Sequence, residues 1–323
     1  MKVFVILISV FLVNLVFAQN RYQEIVETEY RGDTMVLIST KEPVTGIVYL
    51  GDKDSDFLKE EQYGNGVRNG ISQIYMSKVK VRSENYKDGL LNGEIKWYHG
   101  NGKKHYEVFY KEGKEQGVAR SWHPNGQLKY EVNMVNGLDE GPLSVFFENG
   151  KLQCKLNYVK GKVEGVRTEY YESGNIKTIE FWKFGLLEGT SITFPDISSK
   201  DLFRSKISYK AGKKHGKCQW WFTKNALTPS QLECEANYEN DEQHGLTTWW
   251  YDNGQIRAKA KYKNGKIDGI KRKWHSNGKK ASIEKWKLGM LLNEKNWDEK
   301  GRIIKEVVPP PPPPVNVVNP DEK

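Results

Sequence analysis

Few side chains in this sequence stand at spacings that do chemistry. Three cysteines, Cys154, Cys218 and Cys234, and six histidines, His99, His105, His123, His215, His244 and His275, are spread over 323 residues with no CxxC or Cys/His pattern for zinc. That excludes a structural metal core, and no cofactor is implied. His215 and His244 hold the same place in adjacent repeats, but two strands of separation is about 9–10 Å, too far for one coordination shell; they read as solvated loop histidines. Asp52, Asp54 and Asp56 open like a calcium loop, yet Phe57 and Tyr63 stand where such a loop needs glycine and a bidentate glutamate. A solvated acidic turn is the better reading. No GxSxG, HExxH, P-loop or GxGxxG fingerprint occurs in a strand-to-helix context. No catalytic residue is nominated, and the chain reads as a non-enzyme.

One stretch is chemically distinct. From Arg257 to Lys287 there are twelve basic residues against two acids, Asp268 and Glu284, a local surplus larger than the +9 of the whole chain. Alternation groups Arg257, Lys259 and Lys261 opposite Tyr262, and Lys271 with Lys273 opposite Trp274, so a ladder of cations on one sheet face is expected. Such a ladder suits an anionic envelope component or an acidic protein partner. The plainer alternative is a lysine face that keeps a sheet from pairing edge to edge. Nucleic acid, the usual partner of a basic patch with aromatics, is set aside because the chain reads as exported. Cys218 and Cys234 fall one diagonal step apart across one hairpin, at about 7–8 Å between Cα atoms. A disulfide and two free thiols both remain open, and Cys154 has no pairing partner.

The elements that position these residues follow from a fixed period. Aromatic-x-x-Gly-x-x-x-Gly recurs as Tyr63/Gly66/Gly70, Tyr86/Gly89/Gly93, Tyr110/Gly113/Gly117, Tyr158/Gly161/Gly165, Trp182/Gly185/Gly189, Tyr209/Gly212/Gly216 and Tyr262/Gly265/Gly269, with variants between them. The first glycines advance by 23 to 29 residues, which is an internal repeat of about eleven units. A tight-turn pair such as Asn101-Gly102, Asn125-Gly126 or Asn277-Gly278 stands nine residues after most second glycines. Asn-Gly between alternating strands signals a type I′ hairpin. Leu128, Tyr130, Val132 and Met134 alternate with Lys129, Glu131 and Asn133 as a half-buried strand should. The hydrophobic fraction of 37% is below the usual share, so no large core is expected.

These units resemble the bacterial variant of the MORN repeat over roughly residues 41–306. The resemblance implies an all-β, elongated, twisted antiparallel sheet of tandem hairpins. For function it implies binding: bacterial relatives include antitoxin or immunity-type proteins, and eukaryotic ones are associated with membranes, phosphoinositides or scaffolding. The enlarged turns Asp196–Phe203 and Asn225–Leu232 depart from the simple pattern.

The two ends read differently. Met1-Lys2, an apolar run and Val16-Phe17-Ala18 fit a signal peptide over 1–18, cleaved ahead of Gln19, with no membrane span left in the mature chain. Residues 19–40 read as a capping segment, 41–306 as the repeat array, and 307–323 as a flexible tail containing Pro309–Pro314. The expectation is an exported, non-enzymatic interaction or envelope-binding scaffold, placed in the periplasm or at the cell surface. A toxin-neutralising protein is the first alternative and a carbohydrate-active hydrolase the second.

Overall fold

Alternating strands and two kinds of tight turn build the molecule. The computed structural model describes residues 20–24, 26–196, 204–222 and 231–307. The signal segment 1–18, Pro309–Pro314 and most of the two enlarged turns lie outside the described residues. Every named element among the described residues is a β-strand, and no helix among them is long and apolar enough to cross a membrane.

The chain divides into two units, residues 1–127 and 128–323. The first holds three turn-centred hairpins, from Gly46–Gly51 against Phe57–Gly64 to Gly93–Tyr98 against Lys104–Lys111. The second holds seven, from Leu138–Phe146 against Leu152–Val159 to Met290–Trp297 against Ile303–Val307. Neighbouring hairpins also pair, so each unit is an antiparallel meander, with one departure: Arg21–Gln23 lies parallel to Gly46–Gly51. That strand and the ribbon Thr28–Arg31/Thr34–Leu37 accompany an apolar cluster, where Met35, Val44, Val48 and Tyr63 are buried with Tyr22 and Leu37 against them. Elsewhere burial falls on alternate residues of single strands, such as Ile95, Val108, Val132, Leu156, Ala236 and Ala260, as the low hydrophobic fraction requires.

The turn chemistry corrects the sequence reading. At Asn101-Gly102 only the glycine has positive φ, 78°. Gly102 N–H donates to His99 O and His99 N–H to Lys103 O, each at 2.8 Å, which is a longer loop closed by a left-handed glycine. The two-residue turn with both φ values positive sits instead at the first glycine of each phrase, as at Lys160 (51°) and Gly161 (73°), or Phe184 (52°) and Gly185 (80°). Sheet reversals therefore occur at both ends of every unit.

Each row of turns is laced to the next unit. Glu140, Glu164 and Glu188 accept the backbone N–H of Lys160, Phe184 and Ala211 at 2.7 to 2.8 Å, and Asp268 accepts that of Leu288 at 3.3 Å. These are the residues forced into the left-handed region, so an acid of one unit holds the strained turn of its successor. At the opposite ends of the strands, Asn101, Asn253 and Asn277 donate Nδ2–H to the carbonyls of Pro124, Ser276 and Glu299, at 2.9, 3.0 and 3.1 Å. The repeat period is thus a hydrogen-bonding period as well as a folding one.

Candidate ligand-binding pocket at the basic end

The strands Gly245–Trp250, Ile256–Lys263, Gly269–Trp274 and Lys280–Lys287 lie side by side. Register assigns their faces. Trp249 opposes Ala258, Ala258 opposes Lys273, and Lys271 opposes Glu284, so these side chains share one face with Ala260 and Tyr262. Lys259 opposes Arg272, and Lys261 opposes Leu246, on the other face.

The expected single ladder is therefore split. Lys259 and Lys261 stand on the solvent face with Arg272. Lys271 and Lys273 stand on the aromatic face, and Arg257 joins them because the ladder slips by one residue between Trp249 and Trp250, a bulge that turns the extra residue toward the pocket. Alternation within one strand could not show this, since faces are matched only by cross-strand register.

On the aromatic face lies a hollow of about 340 Å³, walled by Trp249, Tyr251 and Tyr262, floored by Ala258 and rimmed by Arg257, Lys271 and Lys273. The rings of Trp249 and Tyr262 meet edge to face with centroids 6.4 Å apart. Tyr251 donates its hydroxyl to Trp274 O at 2.8 Å, and Lys271 lies over the Trp286 ring at 5.9 Å.

The charge balance is uneven. Glu284, only 3% exposed, accepts from Lys273 Nζ at 2.6 Å, from Trp286 Nε1 at 2.9 Å and from Ser282 Oγ at 3.0 Å. Lys271 Nζ is 3.9 Å away. Although burial alone would raise it, the Glu284 carboxyl is held below its ordinary range by these donors, with Lys273 foremost among them. Lys271 is pushed down, first by burial and then by the neighbouring Lys273 charge. Arg257 has no carboxylate within 4 Å among the described residues.

The other sequence candidates have structural explanations. Cys218 and Cys234 are free thiols; Cys218 opposes Ala236 and Cys234 opposes Trp220, so the enlarged turn leaves them at the diagonal spacing and the bridge is not formed here. Burial pushes Cys234 up to about 11 and raises Cys218 as well. His215 departs from the solvated-loop reading, since it lies within the strand Lys213–Trp221 with its Nδ1 buried and unpartnered, whereas His244 is exposed; His99 and His275 reach the carbonyls of Trp122 and Trp297, each at 2.9 Å. Asp52 spends its carboxylate on the N–H groups of Asp54 and Ser55 at 2.8 and 2.7 Å. Among the described residues no group of three or more His, Cys, Asp or Glu is placed to hold a metal ion.

The sequence reading missed the position two residues before the repeat's aromatic in four units. Glu61, Glu84, Glu180 and Glu284 occupy it beside Tyr63, Tyr86, Trp182 and Trp286, and each accepts a hydrogen bond from that ring's polar atom, at 3.3, 2.9, 3.0 and 2.9 Å. Each also holds a cation, through Lys59 and Arg68, Arg82, Arg167 and Lys273 respectively. In the remaining units the position is apolar, as Val108, Val132, Leu156, Ile207, Ala236 and Ala260.

Comparison with known families finds the MORN repeat variant at residues 91–112, 115–136, 139–160, 163–183 and 243–264, the last of which carries Trp249, Arg257, Ala260 and Tyr262. Over these segments, about a third of its length, the chain is similar to MORN-repeat proteins. A search of curated proteins finds no match to it.

Proposed function

We propose that this protein is an exported, non-catalytic binding scaffold whose basic end engages an anionic component of the cell envelope. The observation that carries the reading is the unbalanced charge between Arg257 and Lys287. Among the described residues only Lys271 and Lys273 of its cations have a carboxylate within 4 Å, and they share one, Glu284. Lys261 and Arg272 are exposed and Lys259 half-buried on a face that carries no acid of these strands. Unpaired cations on a rigid sheet raise the local concentration of anions. The MORN family supports the same direction, because its repeats generally mediate protein or membrane binding and are typically non-catalytic.

The test is adhesion of residues 19–323 to phosphatidylglycerol vesicles against phosphatidylcholine ones, across about 0.05 to 0.5 M salt. Binding to the anionic vesicles alone, weakening with salt, is expected. The triple variant Lys259→Gln, Lys261→Gln, Arg272→Gln should lose it while keeping its fold, because none of the three holds an ion pair. Equal binding by parent and variant at low salt would sink the proposal. Lys271 and Lys273 are unsuitable for this experiment, since changing them strands Glu284.

A further inference from the structure

We infer that the hollow at Trp249, Tyr262 and Arg257 is a binding site for a carboxylate-bearing sugar, of the hexuronic acid class, whose carboxylate pairs with Arg257. The inference deepens the proposed envelope-binding role and rests on it.

Three observations converge. The first is a pair of unspent donors. Trp249 Nε1 and Tyr262 OH, on side chains that line the hollow, have no hydrogen-bond partner among the described residues, and the position two residues before Tyr262 is the buried Ala260, which supplies no acceptor.

The second is charge. Arg257 on the rim has no acid, and Lys271 with Lys273 share one carboxylate. The site therefore carries two positive charges in excess. A guanidinium binds a carboxylate through two parallel N–H donors, and Arg257 is the group free to do so.

The third is the body of the ligand. A hollow of about 340 Å³ is far larger than a carboxylate. Its walls are aromatic but end in unspent donors, Trp249 Nε1 and Tyr262 OH. Such walls fit a group with an apolar flank and an oxygen-rich rim. A pyranose ring has both, its axial C–H bonds lying against the rings while its hydroxyls accept from the indole and phenol. An acidic peptide supplies the carboxylate and carbonyl acceptors but no flat C–H face to lie against the rings.

The test is a tryptophan-fluorescence titration of residues 19–323 with oligoglucuronate, with neutral oligoglucose and oligoglutamate as controls. Saturable quenching by oligoglucuronate alone is expected. Arg257→Gln should weaken it at least fivefold. Tyr262→Phe, which keeps the ring and removes its donor, should weaken it about threefold, and amide-region circular dichroism should show both variants folded like the parent. Equal response to oligoglucose overturns the inference, as does a response to oligoglutamate matching or exceeding that to oligoglucuronate. If the protein adheres to phosphatidylglycerol vesicles yet gives no response to oligoglucuronate, the pocket inference falls and the broader binding role stands. If both fail, the broader role falls with it.

Discussion

Replacing Lys273 by glutamine should loosen the last repeats measurably, although Lys273 itself looks like a surface residue. Its side chain is 43% exposed, but the carboxylate it holds at 2.6 Å is 3% exposed. Removing one partner of a fully buried pair costs about 3–5 kcal/mol because the other is left uncompensated. Here Lys271 at 3.9 Å, Trp286 Nε1 and Ser282 Oγ remain on Glu284, and water already reaches Lys273. About 2 kcal/mol is the expected loss, equivalent to roughly thirtyfold in an opening equilibrium. Amide hydrogen exchange reads it directly: protection in residues 269–274 and 280–287 should fall by about that factor at pH 7, with little change before residue 200. The sign with pH follows from Glu284. Its folded carboxyl is depressed below the ordinary 4.5, so its contribution is complete above that value and is lost as acidity passes through the folded one. The difference between variant and parent should accordingly shrink in acid. Adding Glu284→Gln to Lys273→Gln should recover part of the loss. Protection within twofold of the parent for Lys273→Gln at pH 7 would refute the reasoning.

Phe184→Gly and Leu288→Gly should each raise stability by about 0.5–1 kcal/mol, read as a higher urea midpoint, because φ values of 52° and 47° are unfavourable for side chains. Glu164→Ala should cost about 1–2 kcal/mol and speed exchange of the Phe184 amide, which it accepts at 2.7 Å; an unchanged amide would refute the latch. Cys218 and Cys234 should react with a maleimide at least tenfold more slowly in the folded protein than in urea, since both are raised by burial and Cys234 stands at about 11. Reductant should leave the midpoint of unfolding unchanged.

The repeat was legible because its signals are backbone signals. Glycine pairs at a steady spacing fix where the chain reverses, and alternating residues fix which strands are half buried. What escaped was relational. Asn101-Gly102 carries the strongest hairpin signature, yet its asparagine is not left-handed; its side chain holds the Lys103 N–H at 3.0 Å and the Pro124 carbonyl at 2.9 Å instead. Lys160, Phe184 and Leu288 carry no turn signature of their own, yet each is the left-handed first residue of a two-residue turn, its N–H accepted by an acid some twenty residues earlier. The division of the basic residues between two faces depends on the bulge at Arg257 and on Lys259 meeting Arg272, neither of which a single strand records.

The same relation explains how one unit of a repetitive sheet can acquire a site while its neighbour does not. The unit before it also lacks the acid, with Ala236 two residues ahead of Tyr238 and Trp220 beside that ring at 6.4 Å, just as Trp249 lies beside Tyr262. Its bulge residue, between the pairs Trp221–Leu232 and Trp220–Cys234, is Glu233, where the next unit has Arg257. An aromatic wall over a small residue thus occurs twice, with opposite charge at the rim. An external carboxylate would be repelled at Glu233 and attracted at Arg257, so selectivity lies in the bulge residue. Because the bulge sits outside the alternating pattern that packs the sheet, its charge can change without disturbing the strands on either side. Exchanging Arg257 with glutamate should therefore abolish oligoglucuronate binding while leaving the protection of residues 245–263 in hydrogen exchange as it was; a collapse of that protection would show that the bulge residue serves packing rather than recognition.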